Sequence, residues 1–245
     1  MKLSAPIFVL KSRAKEMKRT RSITMAEALN LIAQLEGYSS WSLLQSKARN
    51  LFPKTRDEIL GYLNPGDLML IGSRPGLGKT KFTLQVIIQA ANEGRKCFFF
   101  TLEYSRRDVA SKVAELDESM WEPHPNLSID FSDEVSSSYI IEKTKGLLEP
   151  GSIIAIDYLQ LLDQKRSKPE LQVQVEELKI YAKKQECIII FISQVDRSFE
   201  GKGKARPTLD DVRLPNPLDL KLFNKSMFLH DGKKTFTSPA DFELD

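Results

Sequence analysis

The stretch Ser73-Arg74-Pro75-Gly76-Leu77-Gly78-Lys79-Thr80 constrains this chain more than any other, because of what stands on either side of it. Before it, Leu68-Met69-Leu70-Ile71 is short and wholly apolar, the pattern of a parallel strand buried on both faces. After it, Phe82, Leu84, Val86, Ile87 and Ala90 recur at helical spacing between Lys81 and Asn92. Strand, glycine-rich turn and helix in this order make a phosphate-binding loop. Its backbone N–H groups and the helix N-terminus surround a polyphosphate. Lys79 would neutralise the terminal phosphates, and the Thr80 hydroxyl would hold Mg²⁺. The pattern asks for glycine first, a place taken here by Ser73, with Gly72 one residue earlier. A small residue suffices there. The chain is therefore expected to bind a nucleoside triphosphate.

A chain of 245 residues has room for one full α/β domain and a small appendage. No segment approaches the ~20 consecutive apolar residues of a membrane helix, and Met1 to Pro6 opens a basic region without the apolar core of a secretion signal. A cytoplasmic protein is the expectation. Cys97 and Cys187 each begin an apolar run and read as core thiols of a reducing compartment, not as a disulfide or a metal pair. The net charge of +3 does not by itself call for nucleic acid, but its distribution is uneven. Residues 1–60 carry eleven Lys/Arg against five Asp/Glu, an excess of six, which leaves the remainder at 3 − 6 = −3.

Residues 1–50 read as a small basic helical module. Ile7, Leu10 and Ala14 share one helix face. Thr24 with Glu27 forms a capping box for a second helix ending at Gly37. Ser40 caps a third helix carrying Trp41, Leu43 and Leu44, which are expected to pack on Leu29, Ile32 and Leu35. Residues 51–59 read as a linker, and residues 60–245 as one domain in which strands and helices alternate. The expected strands are 68–71, 97–102, 127–131, 153–158, 187–192 and 227–230. The expected helices are 79–93, 106–116, 136–148 and 171–185.

Binding alone needs only the loop; hydrolysis needs a second carboxylate on the metal side, a base for water and a group that senses the γ-phosphate. Asp157 ends the apolar run Ile153-Ile154-Ala155-Ile156, as such a carboxylate would; capping the next turn is its plainer role. Glu103 follows Phe98-Phe99-Phe100-Thr101-Leu102, at the strand end that faces the ligand crevice of α/β folds. It is placed to deprotonate water, or is a surface glutamate. Gln194, after Ile188 to Ser193, is placed to hydrogen-bond the γ-phosphate, or is an ordinary loop amide. His124 and His230 have no metal-ligand company and read as structural, and Trp121 is open.

Together these residues resemble the ATPase domain of DnaB-like replicative helicases, within the RecA-like superfamily of P-loop nucleotidases. The resemblance runs over about residues 60–231. It lies in Asn64-Pro65-Gly66-Asp67 leading to the loop, Thr101-Leu102-Glu103, Ile156 to Leu162, Ser193 to Glu200, and Arg206-Pro207 with Asp210 to Arg213. It implies an ATPase with a mainly parallel sheet and flanking helices, preceded here by the helical module. It also implies Lys79 and Thr80 on phosphate and Mg²⁺, Glu103 as base, Asp157 as second metal-side carboxylate and Gln194 as sensor. In that family a further strand pair brings an arginine finger to the neighbouring subunit's ATP. Here Asp231 to Phe236 and an acidic tail follow, with no arginine after Arg213, and Lys233 and Lys234 read as turn lysines. An arginine finger is worth roughly 10³–10⁵ in turnover, so slow intrinsic hydrolysis is expected unless an oligomer or protein partner supplies a cation. The first 50 residues do not resemble the family's primase-binding domain and linker helix.

DNA, single-stranded above all, is the expected polymer. The candidate contact is Phe199 to Arg206, with Lys202, Lys204 and Arg206 for phosphates and Phe199 for stacking on a base; a solvated loop is the equal alternative. A helix-turn-helix over residues 24–45 is the less favoured reading, since the third helix starts with few base-reading side chains. The rival to a DNA motor is an ATP-dependent switch or adaptor that unwinds nothing.

Overall fold

The computed structural model describes residues 7–21, 23–44, 58–116, 124–163, 169–201, 206–214, 216–231 and 233–237. These fall into two compact units, one within residues 1–54 and the other within residues 55–238.

In the first unit, α1 (Ile7–Arg21) and α2 (Met25–Leu35) precede a helical turn over 41–44. The capping box at the start of α2 is present: Glu27 N–H donates to Thr24 Oγ1 at 3.2 Å and Thr24 N–H to Glu27 Oε2 at 2.8 Å. Leu10, Ala14, Ala28, Ile32, Ala33, Trp41 and Leu44 form the core. Two expected core residues lie outside it. Leu35 is 76% exposed and Leu43 39% exposed, because the buried stripe is set by Ala28, Ile32 and Ala33 on α2 and by Trp41 and Leu44 on the turn.

The second unit opens with α3 (Ile59–Tyr62) and then alternates: β1 (Leu68–Ser73), α4 (Lys79–Asn92), β2 (Cys97–Thr101), α5 (Arg106–Leu116), β3 (Leu127–Asp130), α6 (Ser137–Thr144), β4 (Ile153–Asp157), α7 (Leu171–Gln185), β5 (Ile188–Gln194), α8 (Ser198–Gly201), β6 (Lys225–His230) and β7 (Lys233–Thr237). The sheet order is β3-β2-β4-β5-β1-β6-β7. Every pairing from β3 to β6 is parallel, and β7 closes the edge antiparallel to β6.

The central strands β1, β2, β4 and β5 are near-continuous apolar runs because both faces of the sheet are covered there. With period two, Met69, Ile71, Phe99, Ala155 and Ile190 face the layer holding α4 and α5, where Leu84, Ile87 and Val109 lie. Leu68, Leu70, Phe98, Phe100, Ile154 and Phe191 face the layer of α6 and α7, against Ile140, Val175 and Leu178. Cys97 and Cys187 are buried free thiols, one in each layer, and burial pushes both up to about 12.

The six expected strands form, with ends displaced by one or two residues. β1 and β5 run on into Ser73 and Gln194 because these polar residues pair with each other in the parallel ladder. The expected helix over 136–148 is shorter: Ser136 is its N-cap, accepting from Tyr139 N–H, and α6 stops at Thr144. After β6 the sequence reading places only a turn and a tail. The structure instead adds β7, with Lys233 and Lys234 paired to His230 and Leu229, so both lysines stand in a strand. The chain reverses there at Asp231, whose φ of 49° is one that Asp tolerates.

No helix among the described residues is long and apolar enough to cross a membrane.

Candidate active site

The site is built where β1, β4 and β5 end together. β5 lies between the other two, with Gln194 level with Ser73 of β1 and Ile192 level with Asp157 of β4. That order brings the phosphate-loop strand, the Asp157 strand and the Gln194 strand to one crevice, although they are far apart in the chain.

The loop leaves β1 after Ser73, whose Oγ donates to the Arg74 carbonyl at 2.9 Å. Gly76 and Gly78 have φ of 81° and 84°, left-handed values that side chains with a Cβ rarely adopt, so the glycines are where the turn requires them. Gly72, by contrast, serves packing: a Cβ there would meet the Phe228 ring at 2.5 Å. α4 starts at Lys79, and both Lys79 and Thr80 are buried. Thr80 Oγ1 donates to Asp157 Oδ2 at 2.8 Å.

Asp157 is fully buried, and its Oδ1 has no hydrogen-bond partner among the described residues. Burial pushes its carboxyl up to about 7. The Thr80 hydrogen bond opposes that rise, the charge of Glu103 adds to it and Lys79 opposes it again. A buried carboxylate oxygen without a donor, beside a threonine hydroxyl and under the influence of a second carboxylate, fits a cation such as Mg²⁺, whose ligands are hard oxygens. Neither here nor elsewhere among the described residues does a cluster of three or more His, Cys, Asp or Glu suited to a metal occur, so a cation at Asp157 would draw its other ligands from Thr80, water and phosphate.

Glu103 is exposed just beyond β2, and β2 pairs with β4 so that Thr101 is level with Asp157. The strand pairing therefore carries Glu103 to the crevice. Tyr104 is a neighbour that the sequence reading passes over. Burial raises its phenol above the usual range, with Thr80 beside it acting in the other direction, and Lys112 Nζ lies 4.9 Å from its ring centre. A second unanticipated contact joins the loop to α8: Arg74 Nη1 lies 3.1 Å from Glu200 Oε1.

Of the nucleic-acid candidates, Lys202 and Lys204 lie outside the described residues, as does Trp121, and Arg206 is exposed. Phe199 is not available to stack on a base. It is 1% exposed and meets the His230 ring edge-on, with centroids 4.9 Å apart. The aromatic residue in an otherwise polar stretch is there to seat α8 on the sheet. His124 accepts from Asn126 N–H through Nδ1 at 3.2 Å, in keeping with a structural role.

Comparison with known proteins agrees with this architecture. The chain is 29% identical over 191 residues to the replicative DNA helicase DnaB of Helicobacter pylori strain J99, covering 64% of this chain and 38% of that protein. It is 24% identical over 220 residues to the replicative DNA helicase DnaB of Haemophilus influenzae, covering 76% and 46%. It thus spans less than half the length of these relatives. Among solved structures, a DnaB-like replicative helicase described with its interactions with primase superposes with a TM-score of 0.60 at 20% identity, over 91% of this chain and 65% of that one. A second solved structure, described as an ATPase domain, gives a TM-score of 0.59 at 22% identity, over 78% and 80%. The model of the DnaB-like helicase C-terminal domain matches residues 52–123 and 122–216, more than half of the chain, and with the site above it carries the conclusion that this protein belongs to that family and is homologous to the DnaB replicative helicases.

Proposed function

We propose that this protein binds ATP with Mg²⁺ and hydrolyses it as the ATPase of a DnaB-type DNA helicase, in the cytoplasm. The observation that carries the reading is the Thr80–Asp157 hydrogen bond with Asp157 Oδ1 left without a donor among the described residues. Thr80 and Asp157 would hold the metal, directly or through water, and the ion supplies positive charge to the phosphate oxygens. The backbone N–H groups of residues 73–80 and the Lys79 ammonium grip the triphosphate. Glu103 takes the proton of the attacking water, and Gln194 donates to the γ-phosphate from the end of the intervening strand. Turnover by an isolated copy is slow on this reading. Of the two cations of the loop, Lys79 serves the phosphates and Arg74 faces Glu200, so a further cation comes from a neighbouring copy or a protein partner. Single-stranded DNA is the proposed polymer, held through Arg206 with Lys202 and Lys204, a role supported by the charge of that segment and by the named function of the relatives.

The test is ATP turnover and Mg-ATP affinity across protein concentration, with and without single-stranded DNA. DNA stimulation that grows with concentration is expected. Glu103→Gln keeps Mg-ATP affinity and loses roughly 10²–10⁴ in turnover, and Lys79→Ala loses binding itself. Unchanged turnover in Glu103→Gln removes that residue as base. A flat, near-zero rate with tight ATP binding favours the switch or adaptor instead.

A further inference from the structure

Directly after Asp157, the 3₁₀ turn Leu159–Asp163 carries Gln160 towards the end of β5. Its Nε2 donates to the Arg213 carbonyl at 2.6 Å and to Ser193 Oγ at 3.2 Å. Chemistry fixes which way the amide points: turned over, its oxygen would face the Arg213 carbonyl oxygen, acceptor against acceptor. Gln160 Oε1 is buried without a hydrogen-bond partner among the described residues, so the side chain works here through its two N–H groups.

Both acceptors bear on Gln194. Ser193 is its chain neighbour in β5, and the Arg213 N–H donates to the Gln194 carbonyl at 2.8 Å. Asp196 N–H donates to the Asp211 carbonyl at 2.8 Å, and Val195 and Val212 form an antiparallel bridge, so the segment around residues 211–213 lies along the end of β5. On the other side, Val195 N–H donates to the Ser73 carbonyl at 3.0 Å. The backbone at Gln194 is thus held between the phosphate-loop strand and the 211–213 segment. Gln160 ties that segment to the end of β4, where Asp157 sits.

We propose that Gln160 is a positioning residue that sets Gln194 against the γ-phosphate through its paired hydrogen bonds to Ser193 Oγ and the Arg213 carbonyl. This rests on the reading of Gln194 as the γ-phosphate contact. Gln160 itself touches no nucleotide. Its loss therefore weakens recognition of a triphosphate and leaves that of a diphosphate intact, which general loosening of the fold would not do.

The experiment measures affinities for MgADP and for a Mg-bound non-hydrolysable ATP analogue by calorimetry, in the wild type, Gln160→Ala, Gln194→Ala and the double variant. Gln160→Ala is expected to weaken analogue binding roughly 3- to 10-fold, the scale of one or two lost hydrogen bonds, with MgADP affinity unchanged. In the Gln194→Ala background it is expected to add nothing, because both changes remove the same contact. Gln160→Met, of similar length and without donors, replaces the alanine variant if that one does not fold. Equal weakening of both nucleotides overturns the proposal, as do additive losses in the double variant or a neutral Gln194→Ala. A wild type that binds no Mg-nucleotide brings down the ATPase reading, and this proposal with it; that outcome is read on the wild type alone.

Discussion

Two aspartates are buried at opposite ends of this sheet, and they are treated in opposite ways. Asp67 stands just before β1, 6% exposed, and both its oxygens are occupied. Its Oδ2 meets Lys225 Nζ at 2.5 Å and accepts from Asn64 N–H at 2.7 Å, while Oδ1 accepts from the Asn224 amide. Lys225 also donates to the Tyr62 carbonyl and lies 4.2 Å from the Tyr62 ring centre, and Asn224 Oδ1 accepts from Leu68 N–H at 2.7 Å. This cluster pins α3, the start of β1 and the start of β6 together. Asp157, at the other end of the strands, has one threonine hydroxyl and an oxygen without a donor among the described residues. A buried carboxylate whose oxygens are all paired inside the fold makes its partners depend on it, so removing it leaves them uncompensated, whereas one with an unpaired oxygen costs stability until something outside the fold completes it. The difference separates a structural aspartate from a functional one where burial alone cannot.

The sharpest way to break this comparison is to remove each carboxylate and measure urea unfolding. Asp67→Ala leaves the Lys225 ammonium buried without its counter-charge and should cost about 3–5 kcal/mol. At about pH 4, where the carboxyl is protonated, Asp157→Asn should leave stability unchanged or raise it by about 1 kcal/mol, and at neutral pH ATP turnover should be lost. A comparable loss of stability from Asp157→Asn would end the distinction.

The next largest effect is in the pH dependence. Asp157 is pushed up to about 7 in the folded protein, above its value of about 3.9 in an unfolded chain. Between these values the folded state keeps a proton that the unfolded state has released, so this contribution to stability is full below about pH 4 and is lost as pH rises through 7. The stability of Asp157→Asn relative to wild type should therefore grow by a few kcal/mol from pH 4 to pH 8 without nucleotide or metal. A difference that stays flat with pH would show that Asp157 is not held in its protonated form.

The smallest effect is stabilisation by ligand. Mg-ATP at a hundredfold excess over its Kd should stabilise the wild type by about 2.7 kcal/mol in thermal unfolding. Asp157→Asn should lose most of that gain at the same concentrations. Retention of the full gain would place the metal elsewhere.

Much of this was legible in the chain because it is local. The apolar runs 68–71, 97–102 and 187–192 announce strands buried on both faces, and the spacing from Gly76 to Thr80 announces the turn that joins one of them to a helix. What failed to show was decided by pairing partners, most of them distant in sequence. Phe199 in a Gly- and Lys-rich stretch reads as exposed until His230 is found against it. β7 has no long apolar run and exists as a strand through its pairing with β6. Asp67 gave no sign of its role, since Asn224 lies 157 residues away. Gln160 stood inside a motif without a function of its own, because its two acceptors arrive from β5 and from the segment after α8.

The sequence by itself determined the strand–loop–helix that grips phosphate and the polar residues at the strand ends, since backbone preference and side-chain chemistry reside in neighbouring residues. Only the tertiary structure decided that β5 lies between β1 and β4, which carries Gln194 to the crevice that holds Thr80 and Asp157. It also decided which buried aspartate has its charge balanced and which has an oxygen to spare. The deciding partners of these two aspartates, Lys225 and Asn224 for Asp67 and Thr80 for Asp157, come from distant stretches of chain, and only the fold brings them together.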